Sequence, residues 1–134
     1  MGVDTATFYD VSRVAIVPMG FCYPGQDAGG GDLPPRHECA PAWRAKLFAM
    51  LPRIEFLLAV GSYAHAWHLG PLARPTLTAT VAAWREIVAA TSNPIVLPLP
   101  HPSWRNNAWI KRNPWFEAEL LPVLRSEIAA RVGS

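Results

Sequence analysis

Short apolar runs that alternate with helical segments constrain the fold of this chain more than any other feature. Three runs, at 13–17, 54–60 and 95–99, are rich in valine, isoleucine and leucine and are followed by glycine or proline, as is typical of buried strands. Segments with apolar residues at helical spacing lie at 41–51, 62–69, 77–92 and 114–132. Strands that alternate with helices predict α/β layers built on a parallel sheet.

Length and composition limit the class of protein. The chain has 134 residues, about half of them apolar, which suits one core, so we expect a single domain over 1–134. The sequence lacks an apolar stretch long enough to span a membrane, and Met1–Asp4 lacks the features of a secretory signal. We therefore expect a cytoplasmic protein with no membrane partner, and a monomer. The net charge of +2 does not by itself indicate a nucleic-acid binder.

The third apolar run leads directly into a loop in which a histidine stands between two prolines, Pro100-His101-Pro102-Ser103. Open α/β sheets bind ligands at the carboxyl ends of their strands, so this position makes His101 a candidate catalytic residue. The alternative is a capped strand end, in which His101 satisfies a buried backbone carbonyl.

A basic and aromatic stretch follows the same loop. From 101 to 113 the sequence has three fixed positive charges and no carboxylate, with tryptophans between the charges. The cations are Arg105, Lys111 and Arg112, and the tryptophans are Trp104 and Trp109. This pattern favours contact with a phosphate backbone. The alternative is a basic stretch that only solubilises the start of a helix.

Four segments of the chain together resemble the uracil-DNA glycosylase superfamily, in particular the small bacterial proteins near its iron–sulfur branch. The segments are Ala15 to Cys22, Asp32 to Cys39, Leu58 to Ala64 and Leu99 to Ser103. They occur in the order and spacing of that family, and the resemblance covers nearly the whole chain. It implies a three-layer α/β/α sandwich around a parallel sheet, with a DNA groove at the carboxyl ends of the strands. It also implies that the first central strand of the family, with the residue that positions the attacking water, is missing, so that the chain is the carboxyl-terminal two-thirds of a longer member. Whether the chain is active without that part stays open.

The resemblance implies an activity and a set of roles. The reaction is hydrolysis of an N-glycosidic bond in DNA during base excision repair. His101 stabilises the negative charge that develops on the leaving base. Ser103 holds a phosphate beside the target nucleotide, while Trp104 and Arg105 fill the gap left by the flipped base. The other residues assigned to the DNA surface are Pro102, Asn106, Lys111 and Arg112.

Two cysteines, Cys22 and Cys39, flank a glycine-rich loop. A structural disulfide is unusual in a cytoplasmic protein, so metal ligation and simple burial remain as interpretations. In the iron–sulfur branch that the chain resembles, cysteines at these positions join two earlier ones to hold a four-iron, four-sulfur cluster. Such a cluster needs four ligands. A cluster in a full-length parent therefore stays open, and we do not expect one to be stable on this chain alone.

The identity of the excised base stays open. Iron–sulfur members carry an asparagine that reads the uracil edge, four residues before the cysteine, where this chain has Pro18. Proline has no side-chain donor or acceptor. Uracil and a related damaged base are both retained. Two other functions also remain: a non-catalytic nucleic-acid-binding remnant of the same fold, and a nucleotide-binding α/β protein without a DNA partner.

The remaining polar and aromatic candidates have simple structural interpretations. His65 and His68 have a spacing that can bind a metal on a helix, but the sequence offers no clear third ligand, and we expect both at the surface or in an interface. Four tryptophans lie on apolar faces of predicted helices and are expected in the core. They are Trp43, Trp67, Trp84 and Trp115.

Overall fold

The computed structural model describes residues 1–20, 24–31, 33–103 and 106–133. These residues form two compact units, one comprising 18–101 and the other comprising 1–17 together with 102–133. The strands are β1 (Phe56–Val60) and β2 (Ile95–Leu99). The helices are α1 (Thr5–Phe8), α2 (Cys39–Ala49), α3 (Ser62–Leu69), α4 (Leu77–Ala82), α5 (Trp84–Ala90), α6 (Asn107–Arg112) and α7 (Leu121–Val132).

In the unit formed by 18–101, β1 and β2 lie side by side in parallel, with Phe56 paired to Ile95 and Val60 paired to Leu99. A parallel pair requires a crossover connection, and α3, α4 and α5 form it together with a 3₁₀ turn at Gly70–Leu72. The α/β fold class predicted from the sequence is confirmed, and two of the three predicted strands lie where the apolar runs placed them.

One face of this sheet packs against the crossover helices. Ala59 of β1 and Val96 of β2 cluster with Ala64 and Leu69 of α3 and with Ile87 of α5, and all five are buried. Alternate residues of a strand point to the same face, so the register brings Ala59 and Val96 to one side. Full burial of a side chain such as Ile87 stabilises the fold by about 1.5–3 kcal/mol. This cluster holds α3 and α5 against the sheet.

A proline inside β2 is accommodated by its position in the ladder. The N–H of Ile95 donates to the carbonyl of Glu55 at 3.0 Å, so odd-numbered residues of β2 direct their polar groups toward β1. The N–H of Val96 points away from β1 and donates to Thr91 Oγ1 at 2.9 Å. Pro98 shares this outward orientation with Val96. Its missing N–H therefore costs no hydrogen bond to β1.

The strand predicted at 13–17 is wrong. Residues 14–18 have no regular secondary structure, and Ile16 is 64% exposed. A strand is stable only when its backbone groups pair with a neighbour. Within the described ranges, the sheet consists of β1 and β2, and no residue of 13–17 belongs to a strand. Apolar composition alone does not supply that pairing.

The helices differ from the predicted ones in their boundaries. The single helix expected after Thr76 is divided at Ala83 into α4 and α5, although Thr76 caps α4 as predicted, accepting the N–H of Ala79 at 3.1 Å. The final helix begins with a π-helical segment, Phe116–Leu120, which continues into α7. The basic loop contains α6, which the sequence did not predict because a helix of six residues is too short to show periodicity.

The unit formed by 1–17 and 102–133 is built on the carboxyl-terminal helix. Leu124 and Ile128 of α7 and Leu120 of the π-helical segment are buried. The guanidinium of Arg13 donates to the carbonyl of Val132 at 3.1 Å, which ties the amino-terminal segment to the end of α7. No helix in the described part of the chain is long and apolar enough to cross a membrane.

The hydroxyl of Thr91 joins α5 to β2, because it donates to the carbonyl of Ile87 and accepts the N–H of Val96, both at 2.9 Å. We expect Thr91→Val to lower the free energy of unfolding by about 1–3 kcal/mol, the usual cost of leaving a buried N–H without its partner. Chemical denaturation measures the loss. Thr91→Ser keeps the hydroxyl and should retain most of the stability, and equal losses in the two variants would contradict this role.

Candidate active site

His101 lies just beyond the carboxyl end of β2, two residues after Leu99, and it is exposed. Pro100 and Pro102 flank it, and each fixes its own backbone φ angle near −65°, which limits the conformations of the loop. The structure therefore places this side chain at the edge of the sheet where parallel α/β folds bind ligands.

Gly61 adjoins His101 from the end of the neighbouring strand. Its backbone has φ +85° and ψ 169°, a region that is open almost exclusively to glycine. A Cβ atom at this position would lie 3.9 Å from both Cβ and Cδ2 of His101. The N–H of Gly61 also donates to the carbonyl of Leu99 at 2.9 Å. A bare backbone at Gly61 thus leaves space beside the imidazole of His101.

A second histidine is buried directly beneath these strand ends. Nε2 of His65 lies 2.9 Å from the carbonyl oxygens of both Ala59 and Leu99. Carbonyl oxygens only accept, so Nε2 carries a proton and donates to both. Burial lowers the pKa of His65 below its ordinary value, which favours the neutral ring. The surface position expected for His65 is wrong, since only 2% of the residue is exposed.

His68 has a different environment from His65. It is half-buried, and its Nε2 accepts a hydrogen bond from the guanidinium of Arg44, which also donates to the carbonyl of Pro18 at 2.7 Å. Burial and the positive charge of Arg44 lower the pKa of His68 to about 4. The described residues contain no group of three or more His, Cys, Asp or Glu side chains placed to hold a metal ion.

The residues predicted to bind DNA continue along the chain in the unit formed by 1–17 and 102–133. Pro102 is exposed and Ser103 is half-buried. The carbonyl of Ser103 accepts the N–H of Asn106 at 2.9 Å in the turn that leads into α6. Lys111 and Arg112 are exposed in the last turn of α6. Trp104 and Arg105 lie outside the described residues.

An aromatic cluster anchors the helix that carries these cations. The ring of Trp109 in α6 packs edge-to-face against Trp115 and Phe116, with centroid distances of 5.9 and 5.5 Å. Such pairs contribute about 0.5–1.5 kcal/mol beyond the area that they bury. Lys111 and Arg112 therefore project from a helix whose orientation is set by packing.

Of the two cysteines proposed as iron–sulfur ligands, the structure describes only Cys39. Cys39 is buried at the start of α2. Cys22 lies outside the described residues, so its pairing with Cys39 stays a prediction. A four-iron cluster takes four protein ligands, and the sequence contains two cysteines. The thiols of this chain do not by themselves fit such a cluster.

The tryptophans divide between core and surface. Trp84 is buried as predicted, and Trp115 belongs to the aromatic cluster around α6. The prediction is wrong for Trp43 and Trp67, which are 56% and 41% exposed. Helical spacing identifies an apolar face, but it does not determine whether another element covers that face.

A family model for the uracil DNA glycosylase superfamily matches residues 1–125. The chain belongs to this superfamily. The match takes in both strands, the Gly61 turn, His101 and the cations of α6. The resemblance inferred from four short segments is confirmed at the level of the superfamily, and a parallel α/β core is the architecture that it implied.

Gly61→Ala tests the backbone at the turn beside His101. We expect it to lower the free energy of unfolding by about 1–3 kcal/mol, because a side chain at this φ and ψ is strained. Gly29 has a φ angle that alanine adopts readily, so Gly29→Ala should change stability by less than about 0.5 kcal/mol. Equal effects of the two substitutions in chemical denaturation would show that the Gly61 turn is not strained by a Cβ.

Proposed function

We propose that this protein is a DNA glycosylase of the uracil-DNA glycosylase type. It hydrolyses the N-glycosidic bond of uracil or of a related damaged base in DNA, in base excision repair. The observation that carries the proposal is the juxtaposition of exposed His101 and bare Gly61 at the carboxyl ends of two parallel strands, in a chain of this superfamily.

The chemistry of the reaction requires a donor at this position. Cleavage of the bond between sugar and base leaves negative charge on the base and positive character on the sugar. A hydrogen-bond donor that is already aimed at the developing anion lowers the barrier, since it needs no reorganisation during the reaction. The imidazole of His101 supplies this donor, and the flanking prolines restrict the backbone that carries it.

The environment of Pro18 does not identify which base is excised. Its carbonyl accepts a hydrogen bond from the guanidinium of Arg44 at 2.7 Å, and its ring has no polar atom to offer a base. Recognition of a pyrimidine edge therefore falls to other groups of the site. Uracil and a related damaged base both remain as substrates under this proposal.

The charge on α6 supports DNA as the partner. Lys111 and Arg112 are exposed, and residues 101–113 contain no carboxylate to neutralise them. Cations in the last turn of a helix are also favoured by its dipole, by about 0.3–1 kcal/mol each, so stability alone could account for their position. Their effect on the salt dependence of binding separates the two roles, because only phosphate contacts release counterions.

His101→Ala should slow base release in single-turnover reactions by about 10²–10³-fold, the usual cost of losing one preorganised donor to an oxyanion. Labelled single-stranded and mismatched duplex oligonucleotides containing uracil serve as substrates, and alkaline cleavage of the abasic product measures the rate. The dissociation constant for the same DNA should change far less.

His37→Ala is the matched control, because His37 is also exposed and lies outside the strand-end loop. It should leave the rate close to that of the unmodified protein. Release of another damaged base from the same DNA with no release of uracil would exclude uracil as the substrate. A rate unaffected by His101→Ala would remove His101 from the chemistry.

Lys111→Ala combined with Arg112→Ala should weaken DNA binding and flatten its salt dependence. Each phosphate contact contributes about −0.9 to the slope of log K against log salt concentration on duplex DNA, so the magnitude should fall by about 2. Fluorescence anisotropy at several salt concentrations gives the slope.

Lys46→Ala combined with Arg53→Ala removes the same charge from exposed positions of the unit formed by 18–101, outside α6. This control should leave the slope close to its original value. An unchanged slope in the α6 variant, or an equal change in both variants, would exclude α6 as a specific phosphate-binding element.

A further inference from the structure

We propose that His65 is a positioning residue for His101. It ties together the carboxyl ends of the two strands from which Gly61 and His101 extend. The proposal rests on the glycosylase function proposed above, and it concerns a buried side chain for which the proposed reaction has no direct use.

The imidazole of His65 bridges the two strands near the end of their ladder, from the next-to-last residue of β1 to the last residue of β2. Its Nε2 lies 2.9 Å from the carbonyl of Ala59 in β1 and 2.9 Å from the carbonyl of Leu99 in β2. Leu99 pairs with Val60 at the end of the register, so the bridge lies where the ladder stops. Beyond the end of a strand, no further pairs of residues hold the two backbones together. Here the ring N–H of His65 adds a hydrogen-bond donor to the backbone carbonyls at that end.

The same residue also holds the turn that follows β1. The N–H of His65 donates to the carbonyl of Gly61 at 3.0 Å, while the N–H of Gly61 donates to the carbonyl of Leu99 at 2.9 Å. The Leu99 carbonyl thus accepts from both Gly61 and His65. His65 is therefore connected by hydrogen bonds to the end of each strand and to the turn beside His101.

This network fixes the spacing between the two active-site positions. A Cβ at Gly61 would lie 3.9 Å from the side chain of His101, and His101 follows Leu99 by two residues. A shift of the Leu99 carbonyl would move His101 relative to the Gly61 turn. Because preorganised donors act only when they are correctly placed, a displacement of about 1 Å can cost about 10²-fold in rate.

Core packing alone does not account for a histidine at this position. An apolar side chain would fill the space without the cost of burying polar ring atoms. Nδ1 of His65 is buried and makes no hydrogen bond within the described residues, so its burial is unfavourable. Nε2, in contrast, donates to the carbonyls of Ala59 and Leu99. The property that distinguishes this ring from leucine is its N–H donor to the strand ends.

The test compares three variants of the full chain. His65→Leu removes the donor, and His65→Gln retains an N–H donor at a similar reach. Ile87→Ala lowers stability in the apolar cluster that holds α3 and α5 against the sheet, and the side chain that it removes has no donor for the strand-end carbonyls. Each variant is assayed well below its unfolding temperature for single-turnover base release, for DNA affinity and for amide hydrogen exchange at Gly61.

We expect His65→Leu to slow base release by about 10²-fold while DNA affinity is largely retained. Exchange of the Gly61 amide should accelerate by about tenfold, as expected when a hydrogen bond of ordinary strength at the strand end is lost. His65→Gln should restore most of the rate and of the exchange protection. Ile87→Ala should leave the rate nearly unchanged despite its lower stability. If His65→Leu does not fold, His65→Asn replaces it, because its amide is too short to bridge both carbonyls.

Several outcomes would overturn the proposal. They are a rate in His65→Gln as low as in His65→Leu, an equal loss of rate in Ile87→Ala, and faster exchange at Gly61 with no loss of rate. If the unmodified protein releases no base, the proposed function fails. The exchange measurement then still tests whether His65 bridges the two strand ends. Unchanged exchange at Gly61 in His65→Leu would then exclude the bridge itself.

Discussion

The pairing of β1 with β2 is the interaction on which the candidate site depends. It brings Leu99 and Val60 to the same edge of the sheet, and the Gly61 turn and His101 extend from that edge. The carbonyl oxygen of Leu99 connects the groups at this edge, because it accepts hydrogen bonds from the backbone N–H of Gly61 and from the ring N–H of His65. Without this pairing, neither the turn nor the catalytic candidate would have a fixed position.

The sequence predicts β1 and β2 well because each is a continuous apolar run that ends at glycine or proline, as a buried parallel strand requires. The same reasoning fails at 13–17. That run has the composition of a strand, but pairing is a property of two segments, and composition describes one. Trp43 and Trp67 show the same limitation for helices, since both lie on apolar faces and remain substantially exposed.

The sequence predicts the position of His101 at the sheet edge and misplaces His65 at the surface, and the difference has a physical cause. His101 follows a strand directly, so its place at the sheet edge is a local consequence of the chain. The role of His65 depends on the carbonyls of Ala59 and Leu99, and the second of these lies 34 residues away along the chain. Helical spacing relates His65 to His68, whereas the structure gives the two rings different partners, so the spacing does not indicate the environment of either ring.

The surroundings of His65 and His68 favour the uncharged form of both rings. Burial lowers the pKa of His65, and burial together with the charge of Arg44 lowers the pKa of His68 to about 4. In the unfolded chain both of these rings titrate near 6.5. The unfolded state therefore binds more protons below that pH, and the free energy of unfolding falls as the pH falls. Near neutral pH the ring of His65 stays uncharged, so a neutral N–H donor holds the strand ends together beneath the exposed residue proposed to perform the chemistry.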